Sequence, residues 1–98
     1  MVYQAGRRPE LRFKDHRFDV TDISERGLGF INEAGVRLGK AMRGTVIFAD
    51  GGSFAFEGSV IRRKEREPGV YFKELMPHTI LLKEQQVAFK LPAPTPDD

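Results

Sequence analysis

The sequence predicts a mostly-β chain, a six-stranded antiparallel β-barrel followed by one C-terminal α-helix. Apolar residues alternate with polar ones at a period of two through most of six short stretches, the fourth being a β-branched run. Turn residues punctuate those stretches at regular spacing, and only beyond Pro77 does the apolar spacing become helical. Short strands at such spacing favour closure, because a closed barrel leaves no unpaired edge.

Leu11 and Phe13 open the first strand, and Phe18 and Val20 carry the second after a turn at Lys14-Asp15-His16. Leu28 and Phe30 restart the alternation as a third strand, which Asn32-Glu33-Ala34-Gly35 ends. A loop from Asn32 to Lys40 leads to the β-branched run Thr45-Val46-Ile47-Phe48. Asp50-Gly51-Gly52 is a turn signal, since glycine reaches positive φ without a steric cost. Beyond it Phe54, Phe56 and Val60 share one parity, with Gly58 as a candidate bulge. This arm runs into Arg62-Arg63-Lys64-Glu65-Arg66-Glu67, is expected to turn at Pro68-Gly69, and returns through Val70 and Phe72. From Pro77 to Leu91 a helix is expected, with Ile80, Leu81, Val87, Ala88 and Leu91 on one face interrupted by Glu84. Pro77 suits its first turn and Thr79 is a candidate cap, but Leu82 stands where a capping box needs Glu or Gln. Leu82 and Phe89 lie off the stripe, and their exposure would offer a patch for a partner or a second copy, so a homodimer is one candidate assembly.

Ninety-eight residues suffice for one domain, taken as 1–91, which buries roughly two-thirds of its unfolded surface. Residues 1–9 are expected to be a flexible N-terminal segment and 92–98 a proline-rich disordered tail. A net charge of +2 is too small for a protein that coats nucleic acid, so no nucleic acid polymer is expected as a partner and any anion site is local. Without cysteine there is neither a disulfide framework nor a thiolate metal site, which suits a cytoplasmic location. No apolar run approaches the length of a signal peptide core or a spanning helix, so no membrane insertion is expected.

The residues with chemistry cluster near the N-terminus. Arg7, Arg8 and Arg12 offer guanidinium forks that fit a phosphate or the O6/N7 edge of guanine, and Asp22 is a carboxylate able to accept from guanine N1 and N2 hydrogens. Two readings of Asp22 and Ser24 stand. If the strand bends near Thr21 the pair moves outside the barrel and faces a ligand; if not, it is a buried turn-former bonded to nearby backbone. Gly27 either permits a positive φ in the turn or leaves room for a ligand against the backbone. Arg12 is also simply the solvent-facing residue between Leu11 and Phe13, and Arg62 to Glu67 is a mixed-sign solvated tip unless Arg62 or Arg63 reaches a bound phosphate. His16, Asp22 and Ser24 lack a nucleophile elbow or an oxyanion hole, so a hydrolase triad is not supported and no catalytic residue is expected. His16 and His78 form no metal pair, and no cofactor is expected.

Arg8-Pro9-Glu10-Leu11-Arg12 followed by Asp22-x-Ser24-x-x-Gly27 resembles the RxxxR and D/NxSxxG pair of the PilZ family, bacterial receptors for the second messenger cyclic di-GMP. The resemblance extends to Val36-Arg37-Leu38-Gly39, Gly58-x-Val60-x-Arg62 and Gly69-Val70-Tyr71-Phe72 before a helix. It implies a PilZ-like barrel that binds cyclic di-GMP through Arg7, Arg8, Arg12, Asp22, Ser24 and Gly27 and signals by ligand-dependent contact with an effector protein, without catalysis. The alternative is an adaptor of the same fold that has lost nucleotide binding. Here the pattern is compressed: nine residues separate Arg12 from Asp22, which places Arg12 inside the first strand, whereas the family keeps its arginines on a segment ahead of it.

Overall fold

The computed structural model describes residues 1–90, without the side chains of 86–90. Six antiparallel strands close into one barrel: β1 (Glu10–Phe13), β2 (His16–Ile23), β3 (Gly27–Phe30), β4 (Ala41–Ile47), β5 (Ser53–Lys64) and β6 (Glu67–Phe72). Their order around the barrel is β1-β2-β3-β6-β5-β4, and β1 pairs with β4 to complete the ring. Helix α1 (His78–Lys90) follows. The six-stranded barrel and C-terminal helix expected from periodicity are both present.

Inward positions supply the core. Leu11, Val20, Phe30 and Val46 are fully buried, and Phe18 lies 5.0 Å from Phe30 between ring centres. Phe56 is buried and Phe54 half-buried, both packed on the Phe72 ring, so neither forms a stacking platform for bases. The hairpin turns are tight: Phe13 faces His16 across Lys14-Asp15, with Lys14 at φ 54°.

Two turn expectations change. The β5–β6 reversal is at Glu65-Arg66, with Arg66 at φ 65°, and Pro68-Gly69 lies within β6. Pro68 is tolerated there because the register between β5 and β6 slips between Ile61 and Lys64, so no ladder bond calls for its missing N–H. Gly58 is not a bulge; it pairs in register with Met42 and Phe72. A Cβ at Gly58 would overlap the Tyr71 carbonyl and stand 2.7 Å from Val70 Cγ1, so close strand approach explains the glycine.

The N-terminal segment and α1 meet against the barrel. Met1–Tyr3, part of the segment expected to be flexible, runs beside the end of β2: Val2 bridges Asp22, and Tyr3 N–H donates to the Thr21 carbonyl. Tyr3 is buried, and its hydroxyl donates to Glu84 Oε2 at 2.7 Å. Glu84 therefore does not interrupt the apolar face of α1; it is a buried contact there, beside half-buried Ile80 and Leu81. Burial pushes its carboxyl above the ordinary range, opposed by the Tyr3 bond and helped by the Asp50 charge. Lys83 pairs with Asp50 at 3.3 Å, and Leu82 is exposed as its position off the stripe suggests. The Pro77 carbonyl accepts from Ile80 and Leu81, setting the helix start one residue beyond the proline. The side chains of Val87, Ala88 and Phe89, residue Leu91 and the 92–98 tail lie outside the described residues.

Candidate functional site: the Asp22 corner

The conflict of parity at Asp22 is resolved by a bulge. Val20 faces Phe30 while Asp22 faces the adjacent Gly29, so Thr21 is the extra residue and the strand reverses its in–out sense beyond it. Val20 and Ile23 are both core residues, and Asp22 between them turns outward.

Ser24 closes the following turn. Its N–H donates to the Gly27 carbonyl at 2.8 Å, and its Oγ accepts from Arg26 N–H at 3.3 Å. Gly27 does not have a positive φ. A Cβ on it would overlap the Val70 carbonyl of β6, so glycine is required by the neighbouring strand rather than by the turn. The outer side of the turn is tied to the start of α1: Met76 N–H donates to the Glu25 carbonyl at 2.8 Å, and His78 Nδ1 is 3.5 Å from Glu25 Oε2.

The arginine that meets Asp22 is Arg63, reached from β5. Its Nη1 lies 3.2 Å from the Asp22 carboxylate, which also accepts the Thr21 hydroxyl at 2.8 Å. Two strands separate β2 from β5, and glycine makes the crossing feasible. Gly29 and Gly69 stand opposite one another, and a Cβ at Gly69 would be 2.5 Å from Arg63 Cδ. A Cβ at Gly29 would overlap Arg63 Nη1 and stand 2.6 Å from Asp22 Oδ2. The guanidinium thus lies in a shallow channel floored by two glycines. One step along the same face stands Tyr71, 59% exposed and opposite both Gly27 and Ser59.

The N-terminal arginines are distributed differently. Arg12 bonds to Glu10 on its own strand, which holds the Glu10 carboxyl below its usual range, and Arg12 pairs across β1–β2 with Arg17. Arg17 and Asp22 are five residues apart on β2, so Arg12 stands about 16 Å from the corner at some 3.3 Å per residue. Arg7 and Arg8 belong to a loop tethered at Tyr3 to Thr21 and at Pro9 to Val20, with Arg7 N–H donating to the Gln4 carbonyl. Arg8 is half-buried; its Nε is buried without a hydrogen-bond partner, beside a cavity of about 420 Å³ bordered by Asp19 and Glu33. The corner therefore unites Asp22, Ser24 and Gly27, keeps Arg7 and Arg8 near the adjoining backbone, and excludes Arg12. Sequence reading takes Arg63 as part of a solvated hairpin tip unless Arg62 or Arg63 reaches a phosphate, and does not single out Tyr71 or Gly29; the parity of Gly29, Gly69 and Tyr71 on their strands is the available signal.

Among the described residues no group of three or more His, Asp or Glu could hold a metal ion, and no helix is long and apolar enough to cross a membrane. Comparison with family models, curated proteins and solved structures finds no match for this chain.

Proposed function

We propose that this protein is a PilZ-like receptor module that binds cyclic di-GMP at the Asp22 corner and signals by ligand-dependent contact with an effector, without catalysing a reaction in the cytoplasm of a bacterial cell. The observation that carries the reading is the carboxylate and guanidinium of Asp22 and Arg63 lying side by side on an open glycine floor. A carboxylate accepts from guanine N1 and N2 hydrogens, and a guanidinium donates to O6 and N7 or to phosphate, so this pair carries both complementary groups for one guanine nucleotide. Arg63 is 40% exposed and free to swing from Asp22 to the ligand. Arg7 and Arg8, on the tethered loop, supply phosphate contacts, and Tyr71 offers a ring on which a base stacks. Ser24 and Gly27 hold the turn, whose bonds to Met76 and His78 give a route from ligand to helix.

The second reading, an adaptor that has lost nucleotide binding, is favoured by the bond of Arg12 to Glu10 and by an Asp22 carboxylate already shared between Thr21 and Arg63. Thermal melting with cyclic di-GMP and cyclic di-AMP separates the two. A receptor that reads the guanine edge is stabilised by the first and not by the second, because adenine lacks the O6 acceptor and the N1 and N2 hydrogens. No shift with either favours the adaptor, and equal shifts with both contradict readout of the guanine edge.

A further inference from the structure

β5 has 12 residues, paired with β4 from Ser53 to Ser59 and with β6 from Gly58 to Lys64, so the β5–β6 hairpin runs past the end of β4. Val60 faces Val70 on the core side, and beyond it, across the register slip after Ile61, Arg62 and Lys64 bring cations to the end of the strand. Opposite them runs the Asn32–Lys40 loop, and between the two lies an open groove of about 850 Å³, within the size range of ligand pockets.

The groove has fixed walls. Asn32 is buried, donates to the Val36 carbonyl and accepts from Val36 N–H, while its own N–H donates to the Arg66 carbonyl. Val60 N–H donates to the Lys40 carbonyl at 2.8 Å, pinning the far end of the loop to β5. Its floor is apolar: Val36, Leu38, Val60 and Ile61 are half-buried. Its rim is basic: Lys40, Arg62, Lys64 and Arg66 line it and make no ion pair among the described residues. Glu65 is the one acid in the lining.

We propose that this groove binds an acidic peptide segment of a partner protein whose carboxylates are interleaved with apolar side chains. An apolar floor contributes nothing to a bare phosphate, and no aromatic side chain lines the groove for a base to stack on, so a nucleic acid strand suits it less. Carboxylates along the rim and apolar side chains on the floor use both features together. The site stands on the groove alone and requires no nucleotide at Asp22; Arg63, bonded to Asp22, is not counted among its cations.

The test uses a short fluorescein-labelled peptide of glutamate and leucine, a glutamate–serine counterpart and an oligothymidylate, titrated into the full chain and followed by fluorescence polarisation. The glutamate–leucine peptide saturates, the glutamate–serine one binds about tenfold more weakly, and the Arg62→Glu/Lys64→Glu variant loses about tenfold. Arg43→Glu, on another face in an exposed pair with Glu57, leaves binding unchanged, and Arg62→Lys/Lys64→Arg retains it. Amide shift mapping on the unaltered protein keeps the test independent of variant folding, with perturbations expected at Val36–Lys40 and Ile61–Arg66. Absence of saturable binding, equal affinity in the charge-reversed variant, or shifts confined to another face overturns the proposal. Tighter binding of the oligothymidylate than of either peptide also overturns it and assigns the groove to nucleic acid.

Discussion

Arg63 reaches Asp22 across two intervening strands because only hydrogens stand on Gly29 and Gly69 beneath it. Two nearby glycines consequently answer differently to the same substitution. At Gly27 a new methyl meets the backbone carbonyl of Val70, which moves only if β3 and β6 separate, so Gly27→Ala is expected to cost about 1–3 kcal/mol or more. At Gly29 the methyl meets the far end of the flexible Arg63 side chain and the Asp22 carboxylate. Gly29→Ala therefore sacrifices an exposed pair worth about 0.2–1 kcal/mol and leaves the strands in place. Urea unfolding of the two variants checks this; a Gly29→Ala loss as large as that of Gly27→Ala would show that Arg63 cannot move aside. Sequence alone conveyed that Asp22, Ser24 and Gly27 form one corner, but not the reason for the glycine or the identity of the arginine. Arg63 lies 41 positions from Asp22, a separation across which no local pattern operates.

Individual elements were legible to the extent that their causes are local. Alternation, with the β-branched run at 45–48 for the fourth, located all six strands, since Leu11, Phe18, Leu28, Val46, Phe56 and Phe72 face one core. Irregularities were legible only in part: the parity conflict at Asp22 offers the bend near Thr21 as one of two readings, while the reversal at Glu65-Arg66, which depends on how β5 meets β6, is expected at Pro68-Gly69. The helix contact was hidden likewise, because Glu84 resembles an interruption of an apolar face until Tyr3 from the other end of the chain is set beside it. That contact has a pH signature. Burial raises the Glu84 carboxyl above its ordinary 4.5, so the folded state holds this proton more tightly than the unfolded state. Its stabilising contribution is complete below 4.5 and is lost as pH rises through the folded value. Glu84→Gln keeps an acceptor for the Tyr3 hydroxyl and removes the titration. Melting temperatures measured against pH should show the wild type losing ground to the variant as pH climbs above 4.5; parallel curves would mean that the carboxyl is not desolvated.

At the scale of the molecule, barrel closure brings distant residues to one outer face. β3 pairs with β6 and β6 with β5, so Asp22, Gly29, Gly69 and Arg63 form one row across four strands, with Tyr71 one step away. The N-terminal segment runs beside this row and the helix start is bonded to the turn at its end, so the corner is tied to both. The same closure holds Arg12 on a different part of the wall, paired with Glu10. The most direct test of the account is isothermal titration of cyclic di-GMP into the wild type, Asp22→Ala and Arg12→Ala. The account predicts saturable binding that Asp22→Ala weakens by about 1–3 kcal/mol, the worth of a bidentate base contact, and that Arg12→Ala leaves unchanged. No heat from the wild type, or a loss in Arg12→Ala equal to that in Asp22→Ala, would contradict it.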